Sequence, residues 1–160
     1  MSLADIREQV RVILAGVPGI GVVHDYDRLS KEWDKLLEFY KDPDGRINGC
    51  AFAREKWQER QQTIGETEIA HVFVFRRIMG LQDAKATGII FDDNLEAMRA
   101  PFRDPDNKTL NGTCRTIDPD WGPMEGAVGL QGDVIEPRMF GGVLCHFAEL
   151  RLCVIAAEQN

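Results

Sequence analysis

Three histidines, four cysteines, two serines and 26 acidic residues are the side chains from which this 160-residue chain could build a reactive site. His24, His71 and His146 are the natural candidates for metal ligand or general base, because imidazole titrates nearest neutrality. None stands four residues from another, as on a helix-borne metal motif, and there is no His-x-His pair. Histidines on partly buried strand faces are the simpler reading. A second reading keeps His71 and His146 as acid, base or metal ligand at a cavity of a small α+β enzyme or ligand-binding domain. Cys145 adjoins His146, but neighbours on a strand point to opposite faces, so the spacing does not make a thiolate–imidazole pair. Cys50, Cys114, Cys145 and Cys153 show no C-x-x-C spacing, and Cys145 and Cys153 lie too far apart along one strand to bridge. All four read as reduced thiols that pack as small apolar groups. Ser2 and Ser30 lie outside any G-x-S-x-G elbow, which removes serine-hydrolase chemistry.

Other motifs dissolve on inspection. The GVPGIG string at 16–21 lacks a lysine and the glycine order of a phosphate loop, so it reads as a turn. Asp-Pro-Asp occurs at 42, 104 and 118 and initiates turns; only the first copy continues to Gly, and none has the later ligands of a calcium loop. Trp33, Trp57 and Trp121 have no interleaved basic residues and read as core or interface anchors rather than base-stacking platforms. The acidic residues show no spacing that suggests a carboxylate pair. These patterns imply no cofactor and no metal.

A net charge of -7, with no basic cluster larger than Arg76-Arg77, argues against tight nucleic-acid binding, although DNA can pass an acidic wall without sticking. The composition is that of a globular protein, and the apolar runs are too short to span a bilayer. Asp5, Arg7, Glu8, Gln9 and Arg11 interrupt the opening apolar residues, unlike a signal peptide, which leads us to expect cytoplasmic synthesis and retention.

The elements that must position these residues follow from periodicity. Leu3, Ile6, Val10, Ile13 and Leu14 recur at helical spacing behind Ser2 as cap, giving a helix over 3–15. A short strand over 22–26 follows, then a helical excursion carried by Leu29, Trp33, Leu36, Leu37 and Tyr40. Strands over 45–54 and 68–79 should form an antiparallel hairpin across a polar connection at 55–67. A second helix runs from Asp83, its expected cap, to Phe102, burying Ile90 or Phe91, Leu95, Met98 and Phe102. Residues 103–142 are turn-rich, of the kind that is functional or partly disordered, with one strand at 127–135. The chain closes on a long strand over 143–156. Leu144, Ala148, Leu150, Leu152 and Val154 share one parity with His146, and Cys145, Phe147, Glu149, Arg151, Cys153 and Ile155 share the other. At about 3.3 Å per residue this strand is long for a small domain, so it should bend or pair with something outside its own sheet. The expected fold is one α+β domain over 1–160: an antiparallel sheet of four to five strands with two main helices on one face.

The opening helix into GVPGIGVVHDY, the DGRINGCAFAR strand, the EIAHVFVFRRIMGLQDA strand entering a helix and the closing GGVLCHFAELRLCVI together resemble the tail terminator and tail completion (neck or minor tail) proteins of long-tailed bacteriophages and prophages. The stretch 107–140 departs from the shorter members. The resemblance implies a structural virion protein without catalysis. Such a protein is made in the bacterial host cytoplasm and self-assembles into a ring, typically a hexamer. The ring would cap the tail tube and present the surface to which the head–tail connector docks. Its partners would be further copies of itself, the tail tube protein and the connector protein, with no membrane and no tight nucleic-acid contact. The contact candidates are Trp121, Met124, Arg138, Met139 and Phe140 in the turn-rich segment, and Phe147, Glu149 and Arg151 on the second face of the last strand.

Overall fold

The computed structural model describes residues 1–27 and 33–159, with the side chains of Trp33, Asp34 and Asp83 outside that description. The sequence readings that rest on Leu29, Ser30, the Trp33 side chain and the Asp83 cap lie outside the described residues. In chain order the elements are α1 (Leu3–Ala15), β1 (Val22–His24), α2 (Trp33–Glu38), β2 (Asn48–Thr63), β3 (Glu66–Gly80), α3 (Thr87–Arg103), β4 (Gln131–Phe140) and β5 (Val143–Gln159). The strands form one five-stranded sheet in the order β1-β2-β3-β5-β4. The architecture is α+β as the sequence leads one to expect, but the sheet is mixed. β1 pairs with β2 in parallel, and the other three pairings are antiparallel. The crossover through α2 brings the chain back in the same direction, a connection that a two-residue turn cannot make.

Both main helices pack on one sheet face. Ile6, Val10 and Leu14 of α1 and Phe91, Leu95, Met98 and Phe102 of α3 meet Phe52, Phe73, Phe75, Leu150 and Leu152 in the main core. Ser2 caps α1 as its sequence suggests, accepting the Asp5 amide at 3.1 Å. In α3 the inner position belongs to Phe91, while Ile90 is half exposed. The helix proper begins four residues later than Asp83, after a single 3-10 turn over Asp83–Lys85. The other face is covered only at its ends. Leu37 and Tyr40 lie over Ala51, Ile78, Cys145 and Phe147, and Trp121 lies over Ala70, Val72, Cys153 and Ile155.

Several boundaries differ from the sequence reading. Residues 55–63 are strand, not connection; their side chains face water on both sides of β2, so no apolar alternation marks them. β4 lies at Gln131–Phe140 instead of 127–135 and is largely exposed. β5 extends to Gln159, and its length is taken up by β3, which pairs with it from Glu66 to Gly80. It does not overrun its own sheet. Leu144, placed by parity in the core, is 42% exposed and lines an open groove beside the first turn of α3.

The turn-rich stretch is built into the core. Leu110, Cys114, Ile117 and Leu130 join the main cluster, and Thr116 exchanges backbone hydrogen bonds with Ile155 beyond the end of β4. The Asp118 carboxylate accepts from the Gly129 amide and from Lys108 Nζ, both at 2.8 Å, closing the stretch on itself. Gly129 holds φ +59, and a Cβ there would meet Phe102 O at 2.5 Å, so glycine is required where this stretch crosses the end of α3.

Candidate functional site

The histidines do not converge. His71 on β3 pairs with Val154 and His146 pairs with Met79, which puts eight residues, roughly 26 Å of strand, between their positions. His24 donates to Phe39 O at 2.6 Å. His71 is buried, with the Arg54 guanidinium 3.5 Å from Nδ1, and burial followed by that positive charge pushes it down to about 4. His146 stacks on Phe91 with ring centroids 5.3 Å apart and lies 2.8 Å from Thr87 Oγ1; burial lowers its pKa, partly opposed by Asp92. Among the described residues no three metal-ligating side chains group together. The four cysteines are unpaired and buried. Burial pushes the Cys50 and Cys114 thiols up to about 12 and Cys153 to about 11, so they stay protonated and unreactive at neutral pH.

The contact candidates divide into inward and outward groups. Trp121 and Phe147 are buried within the subunit itself. The Arg60 guanidinium lies 4.5 Å from the Trp121 ring centroid, and Arg138 stands 4.0 Å over Phe147. Glu149 and Arg151 belong to an ion-pair ladder across the uncovered middle of the second face. Arg151 binds Glu55 at 2.8 Å, Glu149 at 3.6 Å and also Asp133, while Arg76 binds Asp27 at 2.9 Å and Glu149 at 3.7 Å. This ladder explains the mixed parity of β5: its polar members neutralise one another where no helix covers them. Met124 packs at the margin of the Trp121 cluster. Phe140 contacts Phe147 with centroids 6.0 Å apart, and Met139 is 60% exposed.

A group of exposed apolar side chains lies elsewhere, at the end of the sheet where β3 finishes and β5 begins. Ile89, Ile90, Ile135, Met139, Val143 and Leu144 are all exposed there. They adjoin one another: Met139 pairs with Leu144, while Ile89 and Ile135 line a single groove of about 340 Å³. A second groove of about 510 Å³ is lined by the apolar Met79, Ile90 and Leu144 together with Lys41, Asp42, Arg46 and Lys85. His146 lines the smaller groove and His71 neither. Periodicity missed this surface because isolated isoleucines at the start of α3 and on β4 look the same whether a neighbour covers them or not.

The edge of β2 beyond its short pairing with β1, and the outer strand β4, are guarded. Among the described residues nothing pairs with the outer side of β2 beyond Ala51, and that stretch carries Arg54, Glu55, Lys56, Glu59 and Arg60 with a register break between Arg54 and Lys56. β4 carries Pro137 and a break between Gly132 and Val134. Charges, proline and bulges are the usual devices that discourage edge-to-edge pairing.

The chain matches no protein-family model and no curated protein.

Proposed function

We propose that this protein is a structural, tail terminator-like subunit of a long-tailed phage or prophage, acting by self-assembly into a ring, typically six-fold, that caps the tail tube and offers the head–tail connector its docking surface. The observation that carries this reading is the gathering of six exposed apolar side chains, Ile89, Ile90, Ile135, Met139, Val143 and Leu144, around two grooves at one end of the sheet on a chain of net charge -7. A subunit that works alone gains nothing from leaving six large apolar side chains together in water, whereas one that completes its burial in an assembly does. A ring subunit needs a contact surface of this kind, and its acidic balance would let DNA pass through a lumen without adhering. The sequence strings described above point the same way.

Incubation of the purified protein with tail tubes, followed by electron microscopy, tests this function. Rings seated at one end of the tubes are the expected outcome. A protein that stays monomeric and leaves both tubes and tube protein unbound would overturn the reading.

A further inference from the structure

We infer that successive copies join head to tail, the tip of the β2–β3 hairpin of one copy entering the larger groove of the next. This rests on the ring reading above and specifies its contact. Thr63 pairs with Glu66, so the hairpin turns through Ile64 and Gly65 alone. Tight hairpin turns favour Asn, Asp or Gly at these positions, and an isoleucine at the first offers the turn nothing. Ile64 is nevertheless 99% exposed, more than any other large apolar residue described. The fold of the single subunit therefore gives no reason for it.

The groove supplies one. It lies at the far end of β3, about fifteen residues of strand from the tip, with Met79, Ile90 and Leu144 in its lining. A volume of about 510 Å³ is in the range that encloses a drug-sized ligand, and hence a two-residue turn. Charge agrees with shape. Glu66 follows the tip directly, and Lys85 lines the groove, making no ion pair with any described residue; Lys41 and Arg46 there are already held by Glu38, Asp42 and Asp44. Knob and socket sit at opposite ends of one rigid strand, so a copy cannot fill its own groove. The occupant we assign is a second copy, which carries the matching tip, and a contact between two different surfaces repeats until it closes a ring or extends as a filament. The guarded edges of β2 and β4 discourage a competing edge-to-edge contact along those strands.

Sedimentation velocity across a concentration series tests the contact with Ile64→Ser, Leu144→Glu, Glu66→Lys and Glu66→Lys combined with Lys85→Glu. Thermal melts first establish that each variant is folded, as the exposure of Ile64 and Leu144 leads one to expect. Ile64→Ser and Leu144→Glu should each raise the concentration needed for half-assembly by about 10- to 100-fold, the range set by losing one buried aliphatic side chain. Glu66→Lys should weaken assembly and the double exchange should restore it. An equal mixture of Ile64→Ser and Leu144→Glu chains should stop at a dimer, because each retains only one working surface. If both single variants assemble at the wild-type concentration, the contact is wrong and the ring reading stands. If Ile64→Ser loses only its binding to tube protein, the tip's occupant is the tube and the contact is again wrong. A wild-type chain that never assembles, alone or with tube protein, removes both.

Discussion

Arg77 shows how one residue can join three parts of the chain. It is fully buried, yet its partners are all neutral oxygens: Asn94 Oδ1 at 2.7 Å, Asn48 Oδ1 at 2.5 Å, and the carbonyls of Gly19, Gly49 and Ile78 at 3.1, 3.1 and 2.7 Å. Burial pulls its pKa down to about 10, which still leaves it charged at neutral pH. The guanidinium thereby ties the 16–21 turn and α3 to the sheet, and Asn94 completes the link by donating to Pro18 O at 2.9 Å. Arg77→Leu strands several of these acceptors and should lower stability by roughly 2–4 kcal/mol in urea unfolding. An unchanged midpoint would show that the turn is held by other contacts. In the sequence, Arg76-Arg77 reads as a small basic cluster; burial of one and pairing of the other with Asp27 cannot be read from adjacent identical residues. His71 makes a second residue-scale prediction. Its folded pKa of about 4 lies below the ordinary 6.5, so the unfolded chain binds the extra proton first. Its contribution is complete above pH 6.5 and is lost as pH falls toward 4, a difference of roughly 3 kcal/mol. Urea midpoints at pH 7 and pH 4.5 should fall further apart for wild type than for His71→Phe, and parallel shifts would contradict this.

At the scale of elements, α1 was legible from its single buried stripe, and the apolar half of the β2–β3 hairpin and β5 from dense runs of β-branched and aromatic residues, which the fold buries on both faces over most of β3 and β5. The stretch between α3 and β4 was not legible. Leu110, Cys114, Ile117, Trp121 and Leu130 are single apolar residues among glycines, prolines and aspartates, and only the folded backbone shows that they are buried. Leu110 and Asn111 even adopt positive φ values of 47° and 57°, outside any regular element. This stretch is also tied to the hairpin by the buried Glu68 carboxylate, which takes Arg60 at 2.8 Å and Arg115 at 2.5 Å. Its role is therefore structural as well as any docking it performs. Ile117→Ala, at a fully buried position, should cost about 2–5 kcal/mol, a typical core truncation, whereas a loose surface loop would lose less than about 0.5 kcal/mol. Chemical denaturation separates the two outcomes.

For the whole molecule, the α+β class and the placing of both main helices on one face follow from the sequence. The parallel edge strand does not, since three residues of β1 carry no signal of direction. The larger lesson concerns the candidate contacts. Aromatic and arginine side chains attract attention as interface anchors, yet Trp121 and Phe147 complete the subunit's own second face, and Arg151 is neutralised within it. Trp57 on β2 is 55% exposed, with the Arg54 guanidinium 4.4 Å over its ring, and the exposed aliphatic side chains gather at the two ends of β3, where the proposed ring requires a subunit to meet its neighbours. Light-scattering mass measured over a wide concentration range, with and without tube protein, tests that claim most directly. A ring-forming subunit should give a discrete closed species at about six times the 18.0 kDa subunit mass. A mass of 18.0 kDa at every concentration, unaltered by tube protein, would contradict the claim.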